Sequence, residues 1–594
     1  MKSEIAILDF GSQYTHLITR RIRELGVKAH IYPTNTSATK LGSAFGLILS
    51  GGPRSLIKEP HIKFDKNIFN LQVPILGLCY GHQLLADYFG GDVKSDRARE
   101  YGLAEIKISD SPIFLKLPLK TSVWMSHGDH VDKLPKGFQQ IAMTDNRSIA
   151  AMQNLEQRIY GFQFHPEVTH TEFGQKMLSN FVFNICRAQK NWTNKSMLAE
   201  LIKQIKIDAG SKKVFQLISG GVDSAVSFAL LQKALGSKRV AGLYIDNGFM
   251  RLQETGAIKR AFTKAGFNNI TFYDASEFFL KNVSDIIDPE KKRHIIGDTF
   301  LNIADEIMRK NGLSNRDWLL GQGTIYPDTI ESGGTKNSDL IKTHHNRVPR
   351  VQKMISAGLI IEPIKELYKD EVRLIGQQLG LPTTLINRHP FPGPGLAIRV
   401  LCNQGTTAKP TRLNWPDKKI QLFKLPIQSV GVQGDERSYA HPGVIVCSKN
   451  IAWEKLRILA PQITNQIKGI NRVLILSAGN AKNFLTATPH SAYLTKNRLG
   501  ILRQLDALVN DIIKKYYSKN NIWQMPIVLL PFGNSTGNSL VLRPVESKEA
   551  MTVSFAALPN KILKKITSAV LKTALVDFIF YDITNKPPGT IEWE

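Results

Sequence analysis

Apolar residues fall along this chain in short runs that end at glycine, and helical stripes follow them. "IAILDF" at 5–10 and "GLILSGG" at 46–52 have this form. So do buried parallel strands, which read as near-continuous apolar runs. "PILGLCYGHQLLADYFGG" at 74–91 reads as strand, turn, helix and glycine stop, and "RIYGFQFHPE" at 158–167 as another strand. Phe173, Met177, Phe181 and Ile185 recur on one stripe and predict a helix from about Glu172. "AQKNWTNKS" at 188–196 is a polar linker.

The alternation then starts again. "KKVFQLISGGVDSAVSFALLQKAL" at 212–235 is strand, glycine loop and helix. "RVAGLYIDNGFMR" at 239–251 is the next strand, with Asp246 at its C-terminal end. Ligands of open α/β sheets bind at such strand ends, so Asp223 and Asp246 are candidates for one crevice. "RHPFPGPGLAIR" at 388–399 is a loop stiffened by proline and glycine. Beyond residue 400, "LPIQSVGVQG" at 425–434 is echoed about 100 residues later by "MPIVLLPFG" at 525–533. Each echo leads into a strand, a helix and a further strand. The predicted fold class is α/β: two doubly wound parallel-sheet domains (1–192 and 196–400), then a duplicated α+β module (401–520, an insertion, and 521–594).

Length and composition agree with several domains. A chain of 594 residues is too long for one core, and 42% apolar content with a mean hydropathy of −0.15 is that of a globular protein. No apolar stretch approaches the roughly 18 residues of a membrane span, and the chain opens directly on a strand, so the expected setting is cytoplasmic without a membrane partner. Cys79, Cys186, Cys402 and Cys447 form no C-x-x-C pair, and their spacing suits neither zinc nor a disulfide framework. The net charge of +27 is densest beyond residue 400, where 25 basic residues face 12 acidic ones. No basic run carries the interleaved aromatics of a nucleic-acid groove. The charge therefore reads as solvated lysine faces, and no nucleic-acid partner is expected.

Gly77-x-Cys79-x-Gly81 has the form of a nucleophile elbow, in which small neighbours let a strained turn present its nucleophile. The helix start favours the thiolate. A cysteine nucleophile needs a base and a group to orient it. His165 and Glu167 lie two apart on an extended stretch, and so on one side of it. The backbone N–H groups of "LSGGPRS" at 49–55, with that of Tyr80, can form an oxyanion hole. "DFGSQYTHLI", "SGGP", "GLCYGHQ", "SHGD" and "FHPE" occur in one order, and residues 1–190 resemble the class I glutamine amidotransferases. The resemblance implies Cys79 as nucleophile, His165 as base and Glu167 as its orienter. It also implies Gly51, Gly52 and Tyr80 as oxyanion donors, and Gln83 and Asp129 as holders of glutamine.

"SGGVDS" at 219–224 offers consecutive N–H groups, two hydroxyls and a carboxylate at a helix start, a cradle for phosphate. Asp223 is placed to hold Mg²⁺, which wants oxygen ligands. The loop lacks the lysine of G-x-x-x-x-G-K-[ST], which suits a reaction in which pyrophosphate leaves intact. The hexapeptide resembles the loop of the N-type ATP-pyrophosphatases, and this implies ATP as co-substrate at Ser219, Gly220, Gly221, Val222, Asp223, Ser224, Ala225 and Asp246. "GQGTIYPDTIES" at 321–332 and "IKTHHN" at 341–346 extend the match.

An amidotransferase joined to this ATPase type and ending in "KPPGTIEWE" at 586–594 resembles the glutamine-hydrolysing GMP synthase family in its longer, eukaryote-like form. The resemblance implies amination of xanthosine monophosphate (XMP) through an adenylyl intermediate, with XMP contacts at Asp435, Arg437, Gln524, Lys586 and Glu592. "HHNRVPRV" at 344–351 departs from the short bacterial pattern, and with the repeated module it points to a monomer. The competing readings are a tRNA-modifying ATP-pyrophosphatase with a fused amidotransferase, which would account for the basic charge, and a degenerate scaffold, which fails on the intact set Cys79, His165, Glu167 and Asp223.

Overall fold

Glu4–Asp9 (β1), Ala29–Pro33 (β2), Ala44–Leu49 (β3), Ile75–Leu78 (β4) and Ile159–Phe162 (β9) pair in parallel in the order β2-β1-β3-β4-β9 in the computed structural model. The structure describes residues 3–12, 14–95, 100–310, 312, 317–326, 328, 354–388, 391–417, 419–433, 436–447, 451–516, 522–546, 553–586 and 588–594. Asp435, "IKTHHN", "HHNRVPRV" and most of "PDTIES" lie outside these residues, as does the Arg437 side chain. Two compact units divide the described residues: one holds Met1–Lys203 with Ile325, Tyr326 and Asp328, the other Gln204–Thr324 and Pro349–Glu594.

The first sheet is parallel over these five strands and antiparallel beyond them. Beyond β9 it continues with Ile149–Asn154 (β8), Gln139–Thr144 (β7), Glu100–Ile108 (β5) and Lys120–His127 (β6), all antiparallel. Their connections are too short for the crossover helix that parallel pairing requires. The predicted helix near 172 begins at Gly174 and passes at Asn180 into a π-helix ending at Ile185. The apolar stripe recurs every four residues, more than the 3.6 of an α-helix. The wider turn keeps Phe181 and Ile185 buried.

In the second unit, Lys213–Leu217 (β10), Val240–Asp246 (β11), Ile270–Asp274 (β12), Trp318–Gly321 (β13) and Ile360–Ile361 (β14) form an all-parallel sheet ordered β12-β11-β10-β13-β14. The helices that matter to the site are Val222–Leu235 (α3), Glu254–Lys264 (α4), Pro289–Lys310 (α5) and Lys369–Gln378 (α6). The first unit contributes Tyr80–Tyr88 (α2), which follows β4 directly, and Thr15–Glu24 (α1).

Residues beyond 400 build one eight-stranded sheet. Its path is Thr411–Leu413 (β15), Gln421–Lys424 (β16), Glu436–Val446 (β18), Ile470–Ala478 (β19), Phe578–Asp582 (β22), Ser539–Leu542 (β21) and Ile527–Leu530 (β20), with Ser429–Gln433 (β17) paired to β18. Helix Trp453–Gln466 (α7) lies between β18 and β19, and Asn560–Leu571 (α9) between β21 and β22. The two ββαβ runs meet at the antiparallel β19–β22 pair. The place of β20 in the second run is taken in the first by β16, whereas the sequence echo aligns Met525–Gly533 with the segment holding β17. Lys496–Tyr516 (α8) packs on α9 and β20. One apolar core runs from Phe215 and Leu243 of the parallel sheet to Leu529, Leu540 and Ile579 of this one.

Candidate active sites

Cys79 sits between β4 and α2 at φ 49°, ψ −104°. An L-residue holds that conformation at a cost of about 1–3 kcal/mol, and only where its surroundings impose it. Here a Cβ on Gly77 would lie 2.4 Å from the Gly81 carbonyl oxygen, and one on Gly81 2.4 Å from that of Leu49. The pairing of β4 with β9 does the rest. Leu78 lies opposite Phe162, and Cys79 N–H donates to the Phe162 carbonyl at 2.7 Å, so the chain leaving β9 runs past the thiol.

That chain carries His165 and Glu167, 3% and 1% exposed. His165 Nδ1 donates to Glu167 Oε1 at 2.8 Å. Thr171 Oγ donates to the His165 carbonyl at 2.6 Å, and Tyr14 packs edge-on against the ring. Burial disfavours the imidazolium, but the Glu167 carboxylate and the contact with Cys79 outweigh it and raise the pKa to about 10.

Gly51 and Gly52 flank the site: a Cβ on Gly51 would come 3.4 Å from His165 Cε1, and one on Gly52 3.4 Å from Tyr80 Cγ. Among the described residues their N–H groups have no partner. The N–H of Tyr80 opens α2, where no intrahelical acceptor exists. Gln83 Nε2 donates to the Asp129 carbonyl at 2.7 Å and to Gln163 Oε1 at 3.3 Å, and Gln163 Nε2 approaches Cys79 Sγ at 3.9 Å. Asp129 Oδ2 accepts from Ser55 Oγ at 2.7 Å. The sequence reading named neither Gln163 nor Ser55, although both lie inside its motifs.

The phosphate-type loop follows β10. Ser219 Oγ and Ser224 Oγ are 3.1 Å apart, and Ser224 Oγ donates to the Gly221 carbonyl at 3.1 Å. Val222 and Ala225 are buried beneath it, and Asp223 stands in the first turn of α3. Lys369, at the start of α6, places Nζ 3.3 Å from Asp223 Oδ2. Asp223 Oδ1 is buried with no hydrogen-bond partner among the described residues. An unpartnered carboxylate oxygen fits a hard cation. No group of three or more metal-binding side chains occurs among the described residues, so Mg²⁺ there would take its other ligands from phosphate and water. Asp246 ends β11; its Oδ1 accepts from Gly248 N–H at 2.9 Å, and it lines a cavity of about 650 Å³ with Arg251, Lys496 and Arg503.

The tail residues lie in the same unit. Lys586 bridges Val553, Gln524 bridges Val545, and Arg437 stands opposite Val432 on β18. Glu592 does not present a bare carboxylate. Arg399 grips it with two bonds, Nε at 2.9 Å and Nη2 at 2.7 Å. Burial raises the Glu592 pKa, but Arg399 outweighs that and holds it low. No helix among the described residues is long and apolar enough to cross a membrane.

Three family profiles match the chain: glutamine amidotransferase class-I over residues 6–185, NAD synthase over 195–282 and GMP synthase C terminal domain over 511–593. A Leptospira interrogans protein named "Probable GMP synthase (glutamine-hydrolyzing)" is 44% identical over 603 residues, covering 100% of this chain and 99% of the relative. Proteins named "GMP synthase (glutamine-hydrolyzing)" from Caldicellulosiruptor saccharolyticus and Dictyostelium discoideum are 37% and 36% identical. The first covers 100% of both chains, the second 99% of this chain and 94% of the relative. On this full-length similarity, the chain belongs to the glutamine-hydrolysing GMP synthase family.

Proposed function

We propose that the protein aminates XMP to GMP with ATP and the amide nitrogen of glutamine. The observation that carries the reading is a buried Cys79–His165–Glu167 set and a phosphate loop in one chain, similar along its whole length to proteins named for that reaction. Those names favour it over tRNA modification.

In the first unit, Cys79 thiolate attacks the carboxamide carbon of glutamine. The N–H groups of Gly51, Gly52 and Tyr80 receive the oxyanion. His165 protonates the departing ammonia and then deprotonates the water that cleaves the thioester to glutamate. Gln83 and Asp129 hold the substrate's polar ends. In the second unit, the XMP 2-oxo oxygen attacks the α-phosphorus of ATP, and pyrophosphate leaves. Ammonia then displaces AMP, a far better leaving group than an amide-like oxygen.

Ser219–Ala225 cradle the phosphates, Lys369 supplies positive charge to them, and Asp246 borders the nucleotide crevice. Mg²⁺ on Asp223 would neutralise phosphate charge. Asp435, Arg437, Gln524, Lys586 and Glu592 bind XMP, Glu592 oriented by Arg399. The β19–β22 junction joins the two related runs within one chain, and we read these runs as a duplication that makes the protein a cytoplasmic monomer. A sedimentation mass near twice 66.4 kDa would refute the last point.

Cys79→Ala is expected to abolish glutamine-driven GMP formation and to leave ammonium-driven formation within twofold. If both fall together, the division of labour is wrong. ATP cleavage that responds to tRNA and not to XMP would refute the acceptor.

A further inference from the structure

Glu254 opens α4 and has no role in the chemistry above, yet its side chain is only 12% exposed. Its Oε1 is ion-paired with Arg388 Nη2, and Arg388 Nη1 donates to the carbonyl of Gly220 in the phosphate loop. Its Oε2 accepts the Arg251 N–H at 3.0 Å, while the Arg251 carbonyl accepts the Glu254 N–H at 3.2 Å. One carboxylate thus ties the phosphate loop to the turn that carries Arg251 into the cavity. The approach is close. A Cβ on Gly220, at φ +76°, would meet Ile258 Cδ1 of α4 at 2.6 Å and Arg388 Nη1 at 2.7 Å.

A peptide unit is planar, so fixing the Gly220 carbonyl also fixes the Gly221 N–H on its opposite edge. Between two glycines that unit turns over easily, because neither residue has a Cβ to resist. Within the loop the Gly221 N–H has a long bond to Ser219 Oγ, at 3.3 Å, and from outside it Arg388 is the group that grips the carbonyl edge of the same unit. Arg388 is in turn 13% exposed and paired with Glu254.

We propose that Glu254 is a positioning residue for adenylation. Through Arg388 it sets the Gly220–Gly221 peptide so that the Gly221 N–H faces the phosphates of ATP, and it fixes the Arg251 turn beside them. The proposal rests on the reading of Ser219–Ser224 as the ATP phosphate site.

The test uses the full-length chain with ammonium as nitrogen donor, XMP at saturation and varied ATP, reading AMP release. Glu254→Gln keeps the shape and removes the charge. It is expected to raise KM for ATP at least threefold and to lower kcat/KM on the order of 10²-fold, the scale of a misplaced binding group. Loss of folded protein alone would lower kcat and leave KM unchanged. Arg388→Gln attacks the same contact from its other side and guards against a variant that does not fold. The double variant should lose no more than the worse single one, since the two side chains act as a unit. A KM for ATP within threefold of the parent in both single variants, or a double loss equal to the product of the singles, overturns the proposal. Asp223→Asn separates the underlying reading: if it keeps the parent kcat/KM for ATP, the phosphate-loop assignment itself fails.

Discussion

Replacing Gly81 with alanine isolates the elbow from the rest of the protein. The new Cβ would lie 2.4 Å from the Leu49 carbonyl oxygen and 2.9 Å from the Leu49 carbonyl carbon and Cβ. These atoms belong to β3, in the middle of the first sheet, paired on both sides. β3 cannot move, so α2 must. Reaching even 3.0 Å requires a shift of at least 0.6 Å (3.0 − 2.4) in the first turn of α2. That turn carries the Tyr80 N–H and adjoins Cys79. A displacement approaching 1 Å at reacting groups costs on the order of 10² in rate. Overpacking costs about 1–3 kcal/mol, which for a unit of this size lowers its melting temperature by roughly 2–12 °C. Glutamate release should therefore fall about 10²-fold at temperatures where the unit stays folded. AMP release driven by ammonium should stay within twofold. Glutamate release within threefold of the parent would refute the argument that glycine at 81 is imposed by β3.

Three further outcomes follow from the two units. His165 has its pKa raised from 6.5 to about 10, so the folded form keeps a proton that the unfolded form has lost. The stability this pair contributes is complete below pH 6.5 and fades as pH rises toward 10, with a limiting slope of about 1.4 kcal/mol per pH unit. Urea melts of the parent between pH 7 and 9.5 should show this loss and His165→Gln should not; equal slopes would refute it. Lys369→Gln should cut ammonium-driven AMP release by about 10²-fold, the scale for loss of one charge-stabilising donor, and spare glutamate release. Rates within threefold would remove Lys369 from the phosphate site. Glu592→Ala leaves the guanidinium of Arg399, 1% exposed, without its partner. This is expected to cost about 3–5 kcal/mol in urea melts, whereas Arg399→Met with Glu592→Met should cost less than the single change; the reverse ranking would show that the pair is not internally compensated.

The sequence was most legible where the chemistry is local. Cys79 sits on a strand–turn–helix, and His165 and Glu167 lie two apart on an extended stretch, so their meeting follows from strand geometry once β4 and β9 are neighbours. Long-range pairs left no such trace. Lys369 lies 146 positions from Asp223, and Arg399 lies 193 from Glu592. Neither spacing carries a period, and nothing about "YKDEVR" marks its lysine as a phosphate-loop neighbour. The antiparallel strands β5–β8 escaped for another reason. They contribute scaffold and no motif, so the parallel strands with their glycine ends dominated the pattern. Beyond residue 400 the echo aligns the segment holding β17 with β20, whereas β20 lies at one end of the sheet path and β17 pairs with β18 off it, because sequence similarity between short apolar strands does not encode which neighbour each one pairs with.

The tail shows why those long-range charges are there. Arg472, Arg543 and Lys292 are each 0% exposed, and Arg399 is 1% exposed. Arg472 and Arg543 share Asp582, at 3.1 and 2.8 Å, and Lys292 pairs with Glu594. Arg472 also donates to the carbonyls of Val430 and Glu592 at 2.8 Å and to Thr590 Oγ at 2.7 Å, while Arg543 Nε reaches the Ile591 carbonyl at 3.1 Å. Apolar side chains of equal volume would hold a peptide in a groove about as firmly, since desolvation offsets much of the attraction of a buried pair. They would not hold it in one register. Here residues 590, 591, 592 and 594 each have their own cationic partner, and a slip of one position would leave several buried charges and carbonyls unpaired at once, at about 1–3 kcal/mol for each polar group. The buried arginines and Lys292 therefore act less as stabilisers than as an index that fixes the register of the tail.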